Sequence, residues 1–265
     1  MKFSDYFHKA ERALKYALFA KHRHGHGIHS PFVYDFITSV LDKHDENRTF
    51  VEVKKLRNEL LKNEELVSYE DPGVGSTNSQ GLTRKISNIA RYSSTPYKFG
   101  RVLYNMVEKY KPLSIIELGT SLGIGTFYLS GPNIGRVITL EGAEPLARVA
   151  ESNFKLLRKD NIRLIEGLFE FTLPSVLNEI DSVDLVYFDG NHSFDATWDY
   201  FSQCLKKSHN DSIFIFDDIH WSDEMELVWQ EIIKSKEVKV SIDLFRMGIV
   251  FFKKELSKQN FIIKY

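Results

Sequence analysis

Two apolar runs in this chain end in acids, and those acids could do chemistry. Asp189 closes VDLVYFD, and Asp217 and Asp218 close SIFIFDD. If both runs are strands of a parallel sheet, their carboxyl ends lie side by side at the face where open α/β sheets bind ligands. Carboxylates gathered there repel one another unless a cation sits between them. Hard oxygen donors favour magnesium, with calcium or manganese as substitutes. Asp189, Asp217 and Asp218 are therefore expected as ligands of a divalent metal, Mg2+ first. The residues also admit a plainer role, in which one of the Asp217–Asp218 pair caps the helix expected to begin near Trp221–Ser222. His192 lies just beyond Asp189, and free histidine side chains titrate near neutrality, so the two are the candidate catalytic residues, with His192 as base. A cap on the helix Phe194–Leu205 is the alternative for His192. His220 and Asn191 are secondary candidates for supporting roles.

The other informative stretch is Ile115–Ser130, IIELGTSLGIGTFYLS. An apolar run ends in Glu117, and Gly119, Gly123 and Gly125 follow before apolar residues resume. This reads as a buried strand, a tight turn that lets backbone approach a ligand, and a helix. Further on, Glu141 and Gly142 end the next apolar run, where a carboxylate can accept both ribose hydroxyls of a nucleoside. A nicotinamide dinucleotide would use such an acid too, but its close first glycine pair is missing here. Glu117 would also repel a pyrophosphate and suit a cationic or amino-bearing ligand. S-adenosylmethionine, which carries a sulfonium and an amino group and no phosphate, fits better.

Alternating elements must hold these residues. Short apolar runs at 114–118, 136–140, 162–165, 183–188 and 212–217 read as strands. Helical stretches at about 97–110, 124–130, 144–158, 172–180, 194–207 and 222–235 lie around them. That rhythm means a mostly parallel sheet covered on both faces. KVSIDLFRMGIVFF holds one or two strands with almost no connection, so a pair there must include an antiparallel member, and Phe261–Tyr265 is a candidate edge strand. Residues 1–90 read differently, as a helical extension. Helices are expected over about 3–19, from Ser30–Pro31 with Phe32, Val33, Phe36, Ile37 and Val40 as the apolar stripe, and over about 50–65. DPGVGSTNSQG, residues 71–81, is a turn-rich break that suits either a covering loop or an inert one. His22, His24, His26 and His29 crowd HRHGHGIHSPF, which reads as a polar interhelical linker, with a substrate-facing lid or an adventitious metal site as alternatives; its glycines prevent any assigned ligand geometry.

Composition excludes several functions. Thirty-five basic residues balance thirty-six acidic ones in 265, which makes no electrostatic case for nucleic acid. Cys204 is the only cysteine, so intrachain disulfides are excluded; it falls on the apolar side of a predicted helix and is expected to be inert. No apolar run reaches the length of a membrane span, and the charged N-terminus lacks the features of a secretory signal, so a cytoplasmic location is expected. Trp221 could line an acceptor pocket or simply pack.

ELGTSLGIG, TLEGAE, VDLVYFDGNH and IFIFDDIHW, in this order, resemble the class I S-adenosylmethionine-dependent methyltransferases, and among them the metal-dependent O-methyltransferases of the catechol O-methyltransferase type. The resemblance covers roughly residues 91–265, leaving 1–90 as a cap or substrate-side extension. It implies a Rossmann-like sheet of seven strands, one antiparallel, with helices on both faces. By the same resemblance Glu117, Gly119, Thr120 and Gly123 shape the methionine side of the cofactor pocket, and Glu141 with Gly142 takes the ribose. Gly167 and Leu168 pass the adenine, with Phe169 beside it, Ser94 closes over the cofactor, and Asp189 serves both metal and cofactor. His192 stands where the catechol type has lysine, which weakens a simple catechol assignment. The expected activity is methylation of a small hydroxylated acceptor. A metal-independent N- or O-methyltransferase, or a non-catalytic cofactor-binding protein, is the alternative. No nucleic-acid or membrane partner is expected, and exposed apolar N-terminal helices would suit a homodimer.

Overall fold

The computed structural model describes residues 3–69 and 81–265. Its N-terminal third contains helices α1 (Phe3–Phe19), α2 (Pro31–Phe36) and α3 (Arg48–Leu60), strands β1 (Leu66–Tyr69) and β2 (Leu82–Lys85), and helix α4 (Ile86–Tyr92). Then come α5 (Tyr97–Tyr110), β3 (Ser114–Leu118), α6 (Ile124–Ser130), β4 (Arg136–Glu141), α7 (Glu144–Leu156), β5 (Ile162–Glu166) and α8 (Phe169–Glu179). The C-terminal part is β6 (Val183–Phe188), α9 (Phe194–Leu205), β7 (Ser208–Phe216), α10 (Asp223–Lys234), β8 (Val240–Asp243), β9 (Gly248–Phe251) and β10 (Gln259–Ile262). Except for Gly81, the expected loop 71–81 lies outside the described residues.

These elements form two compact units. One is continuous, residues 43–181; the other is discontinuous, residues 1–42 together with 182–265. The first ninety residues are thus shared between the two.

In the continuous unit β3, β4 and β5 run parallel, with Ile115 opposite Val137 and Val137 opposite Ile162. Ile115, Ile116 and Leu118 are all buried, as are Val137, Ile138 and Leu140. Such unbroken apolar runs, rather than alternation, are what strands covered on both faces require. Helix α3 opens on Asn47, whose side-chain oxygen accepts the Phe50 amide at 3.3 Å. β1 and β2 make a separate antiparallel ribbon. They are short and mostly exposed, so no apolar pattern announces them in the sequence.

In the discontinuous unit β6 and β7 are parallel, whereas β9 runs antiparallel to both β7 and β8. The four-residue link Leu244–Met247 permits nothing else, because a parallel crossover needs a dozen residues or more. β10 lies parallel to β8 at the edge. The N-terminal segment is bound into this unit by polar anchors. Arg12 of α1 is buried against Asp223 and Glu226 of α10, and the Tyr16 hydroxyl donates to the Ile263 carbonyl while accepting the Tyr265 amide. Helix α2 starts as the sequence predicts, with Pro31 in its first turn and the Ser30 hydroxyl accepting the Val33 amide at 3.4 Å.

The fold is therefore mixed α/β and Rossmann-like, mostly parallel with β9 as the antiparallel member. Beside the strands that the resemblance implies, β10 forms at the edge of the discontinuous unit, overlapping the expected candidate Phe261–Tyr265. Among the described residues no helix is long and apolar enough to cross a membrane.

Candidate cofactor and catalytic sites

Glu117 sits in the continuous unit near the carboxyl end of β3 and is only 1% exposed. Its Oε2 accepts the hydroxyls of Thr126 at 2.5 Å and Thr139 at 2.7 Å. Thr139 spends its one hydroxyl proton on Glu117, so Thr120, 2.5 Å away, donates to Thr139 in turn. Oε1 is buried with no hydrogen-bond partner among the described residues. Removal from water, only partly offset by the two threonines, raises the Glu117 pKa from 4.5 to about 7. A buried polar atom left bare at the end of a strand marks a place built for something else to bind.

The turn after β3 has the shape its glycines predict. Gly119 and Gly123 adopt φ of 104° and 84°, where side chains are strained, and a Cβ on Gly123 would stand 2.6 Å from the Phe154 ring. The Gly119 and Thr120 amides both donate to the Leu140 carbonyl, which ties the turn to the end of β4. Glu141 is fixed there by two backbone donors, Ser121 N to Oε2 at 2.7 Å and Ala143 N to Oε1 at 2.9 Å. A carboxylate oxygen has lone pairs to spare after one such bond, so Glu141 is oriented and still able to accept ribose hydroxyls. Half-buried Gly142 lies between the anchored residues. The Gly167 amide donates to the Glu141 carbonyl, which brings the end of β5 alongside. Leu168 caps α8 and is 40% exposed, with half-buried Phe169 next to it. The continuous unit therefore assembles Glu117, Gly119, Thr120, Gly123, Glu141, Gly142 and Gly167 around one turn. Ser94 is buried, and its hydroxyl bonds the Ile89 carbonyl of its own helical turn.

Asp189, His192, Asp217 and Asp218 belong to the discontinuous unit. The Asp217 amide donates to the Phe188 carbonyl, so the ends of β6 and β7 do lie side by side. Asp189 accepts the Tyr187 hydroxyl at 3.1 Å, and His192 Nε2 stands 4.0 Å from Asp189 Oδ1, with both side chains partly open to solvent. Asn191 shapes the loop between them: it takes a φ of 51° and holds Ser193, Thr197 and Tyr200. His220 is turned to a structural task, bonded to Asp243 at 2.8 Å and stacked on Phe245. Trp221 is 54% exposed. Cys204 is fully buried, and burial pushes its thiol pKa up, as an inert packing role requires.

Asp217 has a partner that sequence reasoning missed. Arg246, on the β8–β9 turn, donates Nε to both Asp217 oxygens at 3.1 Å and Nη2 to Oδ2 at 2.7 Å. Its Nε is also 3.5 Å from Asp218 Oδ1. Desolvation opposes the charge on Arg246, but the Asp217 hydrogen bonds and the charges of Asp217 and Asp218 outweigh it and keep the guanidinium firmly protonated. The sequence held one signal: an arginine between two apolar strand segments is a charge that needs an acid. Asp189, Asp217 and Asp218 thus fit a divalent metal poorly. Asp217 is 0% exposed, both its oxygens are committed, and a monovalent cation already stands against the pair. Among the described residues no group of three or more His, Cys, Asp or Glu converges as metal ligands would. That includes the histidine-rich linker, where His24 bonds Asp42 and His22 bonds the His26 carbonyl.

Comparison with known proteins bears on the fold. Residues 116–219 match a family model described as a methyltransferase domain. No curated protein matches. Among solved structures the chain is similar to an O-methyltransferase from Bacillus cereus in complex with SAH, at 19% identity and TM-score 0.56, covering 83% of this chain and 97% of that one. It is also similar to the SAH-bound methyltransferase PaMTH1 from Podospora anserina (15% identity, TM-score 0.58, covering 86% and 98%). A third is the O-methyltransferase TomG from Streptomyces achromogenes, involved in tomaymycin synthesis and bound to SAM (15% identity, TM-score 0.57, covering 83% and 95%). The matched segment spans the Glu117 turn, Glu141, Asp189 and Asp217, and the solved structures share the fold of this chain.

Proposed function

We propose that the chain binds S-adenosylmethionine in its continuous unit and methylates a hydroxyl oxygen of a small acceptor. The observation that carries this reading is the bare, buried Oε1 of Glu117. An ammonium group placed there would satisfy the orphaned oxygen and favour the ionised carboxylate, whereas a phosphate would be repelled. Glu141, held by Ser121 and Ala143, is arranged to accept a ribose. When bound, the cofactor supplies an electrophilic methyl on a sulfonium.

The chain's own part is to orient and deprotonate. His192 accepts the acceptor's hydroxyl proton, and Asp189, 4.0 Å away, stabilises the resulting imidazolium. Alignment of the oxygen with the methyl supplies the remaining advantage. Oxygen as the methylated atom is favoured by the similar solved structures, two of which are described as O-methyltransferases. Residues before 91 are assigned to acceptor selection.

Calorimetry with S-adenosylhomocysteine tests the cofactor reading. Binding by the wild type, weakened in Glu117→Ala and Glu141→Ala, is the expected result. Tight NAD binding with no response to S-adenosylhomocysteine would overturn it. Transfer of a labelled methyl to a panel of hydroxylated and amino acceptors then separates oxygen from nitrogen chemistry.

A further inference from the structure

We infer that Arg246 is the resident cation of the Asp217–Asp218 group, and that methyl transfer by this chain needs no divalent metal. The inference rests on the methyltransferase reading and adds which charge serves the acceptor side.

The geometry is that of a built site. Arg246 reaches Asp217 through three hydrogen bonds, which a freely rotating surface pair would not make. The turn that presents it is held on every side. Its carbonyl accepts the Ile219 amide at 3.1 Å, its amide donates to the Leu244 carbonyl, and the Leu244 amide donates to Met247. Its neighbour Phe245 takes a φ of 71°, unusual for a bulky residue, fixed by a 2.7 Å bond from its amide to Asp243 and by ring contacts with His220 and Tyr16. Asp218 is also left-handed, at φ 52°. Backbone strain on both sides of one ion pair is kept only where surrounding contacts impose it.

This arrangement does part of what a metal would do, and does it differently. It sets one positive charge against Asp217 and Asp218 and so offsets part of their repulsion without an outside cation. A magnesium ion would need several free oxygens and would have to approach a guanidinium of like sign. Nη1 of Arg246 makes no hydrogen bond among the described residues, and the side chain is 27% exposed. A guanidinium N–H can stabilise one developing oxyanion, but it does not chelate two neutral oxygens as a metal does. The acceptor class this favours is a compound with a single acidic hydroxyl, such as a phenol, over a vicinal diol that must be chelated.

Free Mn2+ followed by electron paramagnetic resonance tests the inference without reference to turnover. The wild-type chain is expected to take up no Mn2+ at the acid group. Arg246→Met, which removes the guanidinium from Asp217 and Asp218, is expected to gain a site at least about tenfold tighter than any in the wild type. One equivalent bound by the wild type and lost in Asp217→Asn would overturn the inference. So would methyl transfer that stops in chelator and returns with magnesium. If Arg246→Met does not fold, by circular dichroism, the wild-type titration decides alone. Failure of the methyltransferase reading itself would appear separately, as no heat with S-adenosylhomocysteine.

Discussion

Glu117 and Asp217 are both buried acids at the carboxyl ends of parallel strands, yet their surroundings are opposite. Glu117 has two threonine hydroxyls on one oxygen and nothing on the other, and its pKa climbs to about 7. Asp217 has a guanidinium on both oxygens. The first acid is unfinished without a ligand, and its burial is tolerable because it can hold a proton in the meantime. The second is finished by the chain. A carboxylate at a strand end therefore does not by itself announce a bound cation. What matters is whether the protein supplies the counter-charge.

Mutations at these residues separate the two environments. The largest effect is expected at His192, placed beside Asp189 in the discontinuous unit: His192→Ala should lower kcat by about 10²–10⁴ and leave S-adenosylhomocysteine affinity unchanged by calorimetry. A shared loss of both would mean that His192 supports binding and not proton transfer. Next is Arg246→Ala, which strands a fully buried carboxylate and should cost roughly 3–5 kcal/mol in denaturant unfolding. Arg246→Lys should recover only part, since lysine lacks the planar fork.

Glu117→Gln should act in the opposite direction on stability. Between the ordinary carboxyl pKa of 4.5 and the native value of about 7 the folded chain holds a proton that the unfolded chain gives up. Native stability from this group is thus fully present below about 4.5 and is lost as pH rises through about 7, a penalty of about 3 kcal/mol above that. Glutamine removes the penalty, so the apo variant should unfold later than wild type at about pH 8, while cofactor affinity falls about 10- to 100-fold. In the wild type, stabilisation by S-adenosylhomocysteine should grow as pH rises from about 6 to about 8, as Glu117 ionises to meet the ammonium. A flat difference across that range in paired thermal melts would remove Glu117 from the cofactor site. The smallest effect is expected for Gly123→Ala. Its positive φ and the nearby Phe154 ring predict a loss of ~1–3 kcal/mol, confined to the continuous unit and read by hydrogen exchange.

Much of this was legible in the residues. The runs ending in Glu117, Glu141, Asp189 and Asp217 are buried strands because unbroken apolar stretches of that length have nowhere else to go. Gly119 and Gly123 marked a tight turn, and both take the positive φ that glycine adopts without strain. The short link inside SIDLFRMGIVF required an antiparallel pair, and β8 and β9 form one. The ribbon β1–β2 was not legible, since its segments carry too little apolar pattern. β10 was legible in part: the candidate edge strand Phe261–Tyr265 forms two residues earlier, at Gln259–Ile262.

Local sequence thus settles the strands and helices from α5 to β9, the glycine turn and the acids at the strand ends, because those follow from periodicity and backbone preference. Only the tertiary structure decided how those acids are charged. Arg246 lies 29 residues beyond Asp217, Thr139 lies 22 beyond Glu117, and the Ser121 amide that holds Glu141 comes from 20 residues before it. Hydrogen bonds over such separations depend on strand register and hairpin closure, which no local pattern encodes. They turn Glu117 into an acid awaiting a cation and Asp217 into one already paired.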